Sequence, residues 1–314
     1  MPPATRHPTW VARAGKNLPG NPSWEWPPNF TDSVLWNGKV VPLLRNTIKG
    51  AVWMQGEKNA KYNDGRQYNC SFPAMIEDWR AKWAEGTGGT TEATFPFGWS
   101  QLNSDGAATA WSPTGTTPNV PSNDTDPDPL MQWTGGGFPP IRNAESNTLS
   151  VANTFQAVII DTPVASGSVH SPYKQPAGAR LARQALATAY GIPQPSPVAV
   201  SASKTASSIV ITLGNTGDGG TLVHKSLFGF EVLGNDGKWH VAPVIPPSSP
   251  TLPPLTVTVG PIPAGASAVR YLWTTAPCSN AAPFQCAIYV TAPTLGALSG
   301  ELDLLPLGPF LFPL

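Results

Sequence analysis

The spacing of apolar positions changes twice along this chain of 314 residues. Residues 1–33 are crowded with Pro, Trp and Asn, show no period, and read as an irregular arm. From Val34 the stretch VLWNGKVVPLLRNTIKG sets Val40, Leu43, Leu44 and Ile48 at helix-like intervals, and AVWMQ, between Gly50 and Gly56, reads as a short buried strand. FPAMIEDWRAKW puts Phe72, Met75, Ile76, Trp79 and Trp83 at intervals of three and four, an amphipathic helix with Pro73 in its first turn. ATFPFGWSQL and NTFQAVIID read as second and third buried strands, and KQPAGARLARQALATAYG as a helix stopped by Gly191.

Strands alternating with helices over 34–192 predict an α/β unit, a parallel sheet with helices on both faces. A Pro/Gly/Asn/Asp-rich insertion over 106–140 is too long for an ordinary connection and reads as a surface excursion. After GIPQPSPV the period shortens to two in SSIVITLG, LVHKSLFGFEVLG, KWHVAPV, LTVTVG and VRYLWTT. Residues 193–314 are therefore expected to form an antiparallel β-sandwich able to fold without the sheet before it. The closing LLPLGPFLFPL is broken by Pro and is expected to be a docked or disordered tail rather than an anchor.

Composition narrows the partners. Charged residues make up 12%, with Lys+Arg 19 against Asp+Glu 19, so there is no basic field to draw nucleic acid or anionic lipid. No apolar run reaches the length of a membrane span. Twelve Trp beside so few charges suit neutral polar ligands such as sugars, although most of these rings are expected in the core. Sequons at Asn29, Asn69 and Asn123, and a disulfide that could join Cys278 and Cys286, fit a secretory history. MPPATRHPTW has no apolar signal core, so either export does not occur or a leader lies outside this sequence.

Chemistry is expected beyond the carboxyl ends of a parallel sheet. Gln55 falls there, in VWMQGEKNA, with Glu57 and Asn59 beside it and Gly56 permitting close approach. A fixed side-chain amide can donate to an oxygen that becomes negative during acyl transfer. Taken alone, the peptide reads rather as a loop whose amides, Gln55 and Asn59, tie up its backbone. His170, in GSVHSPYK, lies between the third strand and the next helix, whose N-terminal dipole disfavours added positive charge and so suits a proton-accepting imidazole. His7 falls in the arm, and His224 and His240 fall on β-rich strands.

These blocks, with YNCSFPAMIEDWR, FPFGWSQL and the distant VRYLWTTAPC and CAIY, resemble in order the sialate O-acetylesterases, carbohydrate esterases of the SGNH (GDSL-like) hydrolase superfamily. The resemblance runs from about Leu35 to Tyr289 and implies an SGNH-hydrolase-like, flavodoxin-like sheet and a serine esterase removing acetyl groups from sugar hydroxyls, sialic acids above all. It implies Gln55 as oxyanion or substrate-orienting residue, Glu57 and Asn59 as pocket support, His170 as catalytic base, and Arg142 in a substrate segment, with Glu145 where a Gln is usual. It also implies a secreted or lysosomal and endomembrane location, and no cofactor, since an acyl-serine mechanism needs none. No Cys/His cluster suggests a metal site.

Two departures stand out. The Gly-Gln-Ser-Asn-Met block that carries the family's serine is absent from these 314 residues, and so is G-x-S-x-G. The sheet is thus expected to be incomplete, the chain a C-terminal portion inactive as given, and its first strand an unpaired edge. Ser100 lies inside a strand block and reads as structural. Related esterases often have Asp three residues before the base, where this chain has Gly167; Asp161 is the substitute acid if its loop folds back, and otherwise a strand-end turn residue. The alternative to an esterase is a non-catalytic carbohydrate-binding protein on the same scaffold.

Overall fold

The computed structural model describes residues 33, 35–61, 65–111, 137–247, 255–291 and 303–314. The arm, the Asn29 and Asn123 sequons and most of the insertion lie outside the described residues. Val40, Leu43 and Leu44 do not build a regular amphipathic helix. A five-residue π-turn, Trp36–Val40, passes into a single 3₁₀ turn, Val41–Leu43. Pro42, which offers no N–H to continue an α-ladder, sits in that second turn.

Three short strands then form a parallel sheet in the order β1 (Ala51–Trp53), β2 (Phe97–Ser100) and β3 (Thr154–Ala157). The register pairs Val52 with Gly98 and Gly98 with Phe155. The third strand is shorter than its apolar run predicts, because Val158 to Asp161 leave the ladder. Alternation sends Phe97 and Trp99 to one face of β2, where they meet α2 (Gly65–Gly86); the short α1 (Glu57–Lys61) precedes that helix. Phe72 of α2 stands edge-on to Trp99 at a centroid distance of 5.1 Å and to Phe97 at 6.4 Å. Gly98 is confined by the Phe155 ring: a Cβ there would lie 2.1 Å from Cε2.

Helix α2 begins at Gly65, well before the predicted start, and Pro73 lies within it rather than in its first turn. An interior proline costs roughly 3 kcal/mol. The burial of Tyr68, Phe72, Met75, Ile76 and Trp83 along one face of the helix offsets it, since each such side chain contributes about 1.5–3 kcal/mol. Asn69 lies on this helix, and its Oδ1 accepts from Asn147 Nδ2 at 2.9 Å. Helix α3 (Phe138–Asn147) packs against α2, and α4 (Lys174–Tyr190) runs along β2 and β3. Gly191 closes α4 in the left-handed region (φ +66°), and its N–H donates to the Leu186 carbonyl.

The C-terminal part is antiparallel, as its period predicts, but its strands fall into three sheets rather than the two of a simple sandwich. The first contains β4 (Val198–Lys204), β5 (Ile209–Gly214), β9 (Val244–Ile245) and β10 (Thr256–Val259) in the order β4-β5-β10-β9. The second is β14 (Phe310–Pro313), β11 (Ala268–Tyr271), β7 (Phe230–Leu233) and β8 (Trp239–Val241). The third joins β13 (Leu304–Pro306), β12 (Ile288–Thr291) and β6 (Thr221–His224). The Pro-broken tail thus supplies two strands. Cys278 and Cys286 are bridged, with Cα atoms 4.7 Å apart.

The two parts are interlocked. Ile160, just past β3, belongs to the β-part core with Ile211, Val257, Tyr271 and Tyr289. Phe284 N–H donates to the Asp161 carbonyl at 2.7 Å, and Arg180 of α4 donates to the Leu304 carbonyl at 3.1 Å. These contacts tie the β-rich part to the unit before it: removing residues before 193 would uncover Ile160's neighbours and break both bonds.

Candidate active site

β1 ends at Trp53, and Gln55 stands two residues beyond, at the carboxyl end of the sheet. Its amide is held from both sides. Nε2 donates to Asn59 Oδ1 at 2.7 Å, and Oε1 accepts from Tyr68 Oη at 3.4 Å. Tyr68 Oη also lies 3.2 Å from the Gln55 carbonyl and accepts from Trp53 Nε1 at 3.3 Å. Burial, and next the nearby Glu145 carboxyl, push the Tyr68 phenol well above its ordinary value, so it acts as a neutral hydroxyl. A primary amide carries two N–H groups. One is used by Asn59, which leaves the other for a ligand. Sequence placed Gln55 and Asn59 together; Tyr68, buried beneath them, carried no signal beyond its place on the apolar face of α2.

Gly56 has buried neighbours close around it. A Cβ there would lie 3.1 Å from Ile141 Cγ2, 3.3 Å from Leu102 Cδ1 and 3.4 Å from Glu145 Oε1. Glu57 follows as the first residue of α1. Glu145 itself is fully buried: Oε2 accepts from Leu102 N–H at 2.8 Å, whereas Oε1 has no hydrogen-bond partner. Burial dominates its titration and holds the carboxyl well above the ordinary range, against the Leu102 bond and the Arg142 charge.

Arg142 corrects an expectation. It is fully buried and faces no open site. Nε donates to Leu102 O at 2.8 Å, Nη2 to Asn103 O at 2.7 Å and Thr275 O at 2.8 Å, and Nη1 to Thr274 O at 2.7 Å. Burial lowers its pKa to about 9, which still leaves it charged at neutral pH. A guanidinium so engaged clamps backbone; it is not a substrate contact.

Asp161 takes the second of its two readings, a residue in the turn that follows β3. Both carboxylate oxygens accept from Arg180, at 2.6 and 2.8 Å, in a buried fork-to-fork pair. Its loop does not offer a carboxylate to His170. Ser100 is buried in β2 opposite Ala157, as a structural residue would be.

His170 lies in the loop between β3 and α4, four residues before the helix, and is exposed. Its backbone N–H donates to Ser168 Oγ at 3.1 Å. β2 separates β1 from β3, so the strand ends behind Gln55 and His170 stand about 10 Å apart. Gly167 takes a positive φ of +73°, and its carbonyl accepts from Gly106 N–H at 2.7 Å. Among the described residues no cluster of His, Cys, Asp and Glu could hold a metal ion, and no helix is long and apolar enough to cross a membrane.

No protein-family model matches the chain. It is 35% identical over 284 residues to the sialate O-acetylesterase of Rattus norvegicus, covering 85% of this chain and 46% of that protein. The human sialate O-acetylesterase is 39% identical over 163 residues, 51% of this chain and 28% of that one. Among solved structures, XAC1771, a carbohydrate acetylesterase from Xanthomonas citri, superposes with a TM-score of 0.64 at 27% identity, over 90% of this chain and 55% of that chain. The chain spans about half the length of the rat relative and of the solved structure it matches. Over most of its own length, this chain is a homologue of the sialate O-acetylesterases.

Proposed function

We propose that the chain forms the pocket-building part of a carbohydrate esterase that hydrolyses O-acetyl esters of sugars, sialic acids among them, through a serine acyl-enzyme. The observation that carries this reading is Gln55: an amide at the carboxyl end of a parallel sheet, fixed by Asn59 and Tyr68 with one N–H to spare. His170, in the loop that follows β3, serves as the base. The hydroxyl nucleophile comes from sequence beyond these 314 residues.

In this scheme His170 takes the proton of the hydroxyl as its oxygen attacks the acetyl carbonyl. The developing oxyanion receives the spare Gln55 N–H, a contribution typically worth about 3 kcal/mol. The imidazolium returns its proton to the departing sugar oxygen, leaving an acetyl ester on the enzyme. His170 then deprotonates water, which attacks that ester; acetate leaves and the hydroxyl is restored. A secreted or endomembrane location belongs to the same proposal and draws support from the disulfide.

The test is hydrolysis of p-nitrophenyl acetate and of O-acetylated sialic acid. The 314-residue chain should not exceed its His170→Ala variant. A longer protein that includes the nucleophile should be active and lose about 10²–10³-fold in kcat on Gln55→Ala. Activity of the short chain that vanishes in His170→Ala would overturn the assignment of the nucleophile to outside sequence.

A further inference from the structure

The scheme above leaves Glu145 without a role, although its carboxyl lies against the backbone that carries Gln55. Helix α3, which holds it, packs on α1 and α2. The side chain is fully buried; Oε2 accepts from Leu102 N–H at 2.8 Å, and Oε1 has no hydrogen-bond partner among the described residues. A Cβ on Gly56 would lie 3.4 Å from Oε1, so no side chain stands between the carboxyl and the main chain next to Gln55.

A carboxylate in such a place needs a cation or several N–H donors. Among the described residues Leu102 N–H is its sole hydrogen bond. Arg142, one turn earlier on α3, spends its guanidinium on the carbonyls of Leu102, Asn103, Thr274 and Thr275. Glu57 on α1 adds a like charge, and Tyr68 on α2 is a neutral phenol engaged with Trp53 and Gln55. With Oε2 occupied as an acceptor, Oε1 is the oxygen that carries the proton, and a neutral hydroxyl can lie against Gly56. An ionised Oε1 would draw in water past Gly56, where only backbone covers it. That displaces the main chain between Gln55 and Asn59, whose amides are bonded at 2.7 Å.

We infer that Glu145 is a positioning residue for the Gln55 amide: its neutral carboxyl seats the Gly56 backbone, and its ionisation unseats Gln55. The consequence for an oxyanion rests on the esterase reading of Gln55, whereas the coupling between the two side chains does not.

The experiment is an NMR pH titration of the 314-residue chain without substrate. It follows the Gln55 side-chain amide, identified by its loss in Gln55→Ala, and the Trp53 indole N–H that donates to Tyr68, identified by its loss in Trp53→Phe. Both should shift along one sigmoid whose midpoint lies above the ordinary carboxylate range and coincides with that of the Glu145 carboxyl carbon. Glu145→Gln should abolish the step in both probes. Glu57→Gln should keep it and lower its midpoint, a like charge having been removed. Because the carboxyl carbon is followed in the unsubstituted protein, the inference stays testable should Glu145→Gln not fold. Probes that stay flat through the Glu145 midpoint, a midpoint within the ordinary carboxylate range, or a step that survives in Glu145→Gln would overturn it. No ester is turned over, so failure of the hydrolysis assays and failure of this coupling are separate results.

Discussion

Arg142 Nη1 donates to the Thr274 carbonyl at 2.7 Å, across 132 residues of chain. With the bond from Nη2 to Thr275, this guanidinium joins the loop after β2 to the segment after β11.

Arg142→Met should therefore destabilise the protein by roughly 3–5 kcal/mol, because a loss of donors leaves buried carbonyls unpaired. Urea denaturation checks this. A near-native midpoint combined with weakened sugar binding would instead return Arg142 to a substrate role. The same interlock predicts that residues 193–314 expressed alone unfold well below the full chain's midpoint.

Glu145 should make stability fall as pH rises. Its folded pKa is raised by burial, so between its ordinary value and that raised value the native state holds a proton the unfolded chain has released. Stability is full below the unfolded pKa and is lost through that window at up to about 1.4 kcal/mol per pH unit. Glu145→Gln, which cannot ionise, should remove this slope. The measurement is the difference in unfolding free energy between the two proteins from pH 5 upward; parallel curves would show that Glu145 is ionised in the native state.

Gly98→Ala should cost about 1–3 kcal/mol, since the new methyl meets the Phe155 ring at 2.1 Å and the close-packed sheet must move. Phe155→Leu in the same background should recover part of the loss. Thermal unfolding of the two variants decides it, and an unchanged midpoint for Gly98→Ala would mean that the ring turns aside freely.

What could be read from sequence followed how local the cause was. Gly191 ends α4 because a left-handed residue is needed there, and the sequence marks it. QGEKN announced a strand-end cluster for the same reason: Gln55 and Asn59 are four residues apart and bonded. Pro73 misled, because an interior proline is tolerated only when tertiary burial compensates, which a local pattern does not reveal. The partners of Arg142 and Asp161 were not legible because they lie far along the chain, at Thr274 and Thr275 and at Arg180, the last 19 residues from Asp161. Periodicity of two identified the strands after Val198, but their division into three sheets depends on pairings such as β6 with β12, which no alternation encodes.

The Cys278–Cys286 bridge closes a short segment whose Phe284 N–H donates to the Asp161 carbonyl, and just before it the Ala276 and Pro277 carbonyls accept from Thr109 N–H and Trp111 Nε1. Closing so short a loop contributes about 2–3 kcal/mol. A reductant would thus loosen the anchorage of the segments after β2 and β3 on the β-rich part while leaving Gln55 and His170 chemically intact. Material prepared with thiols and material prepared without them would share one sequence yet present ligands with differently firm surroundings.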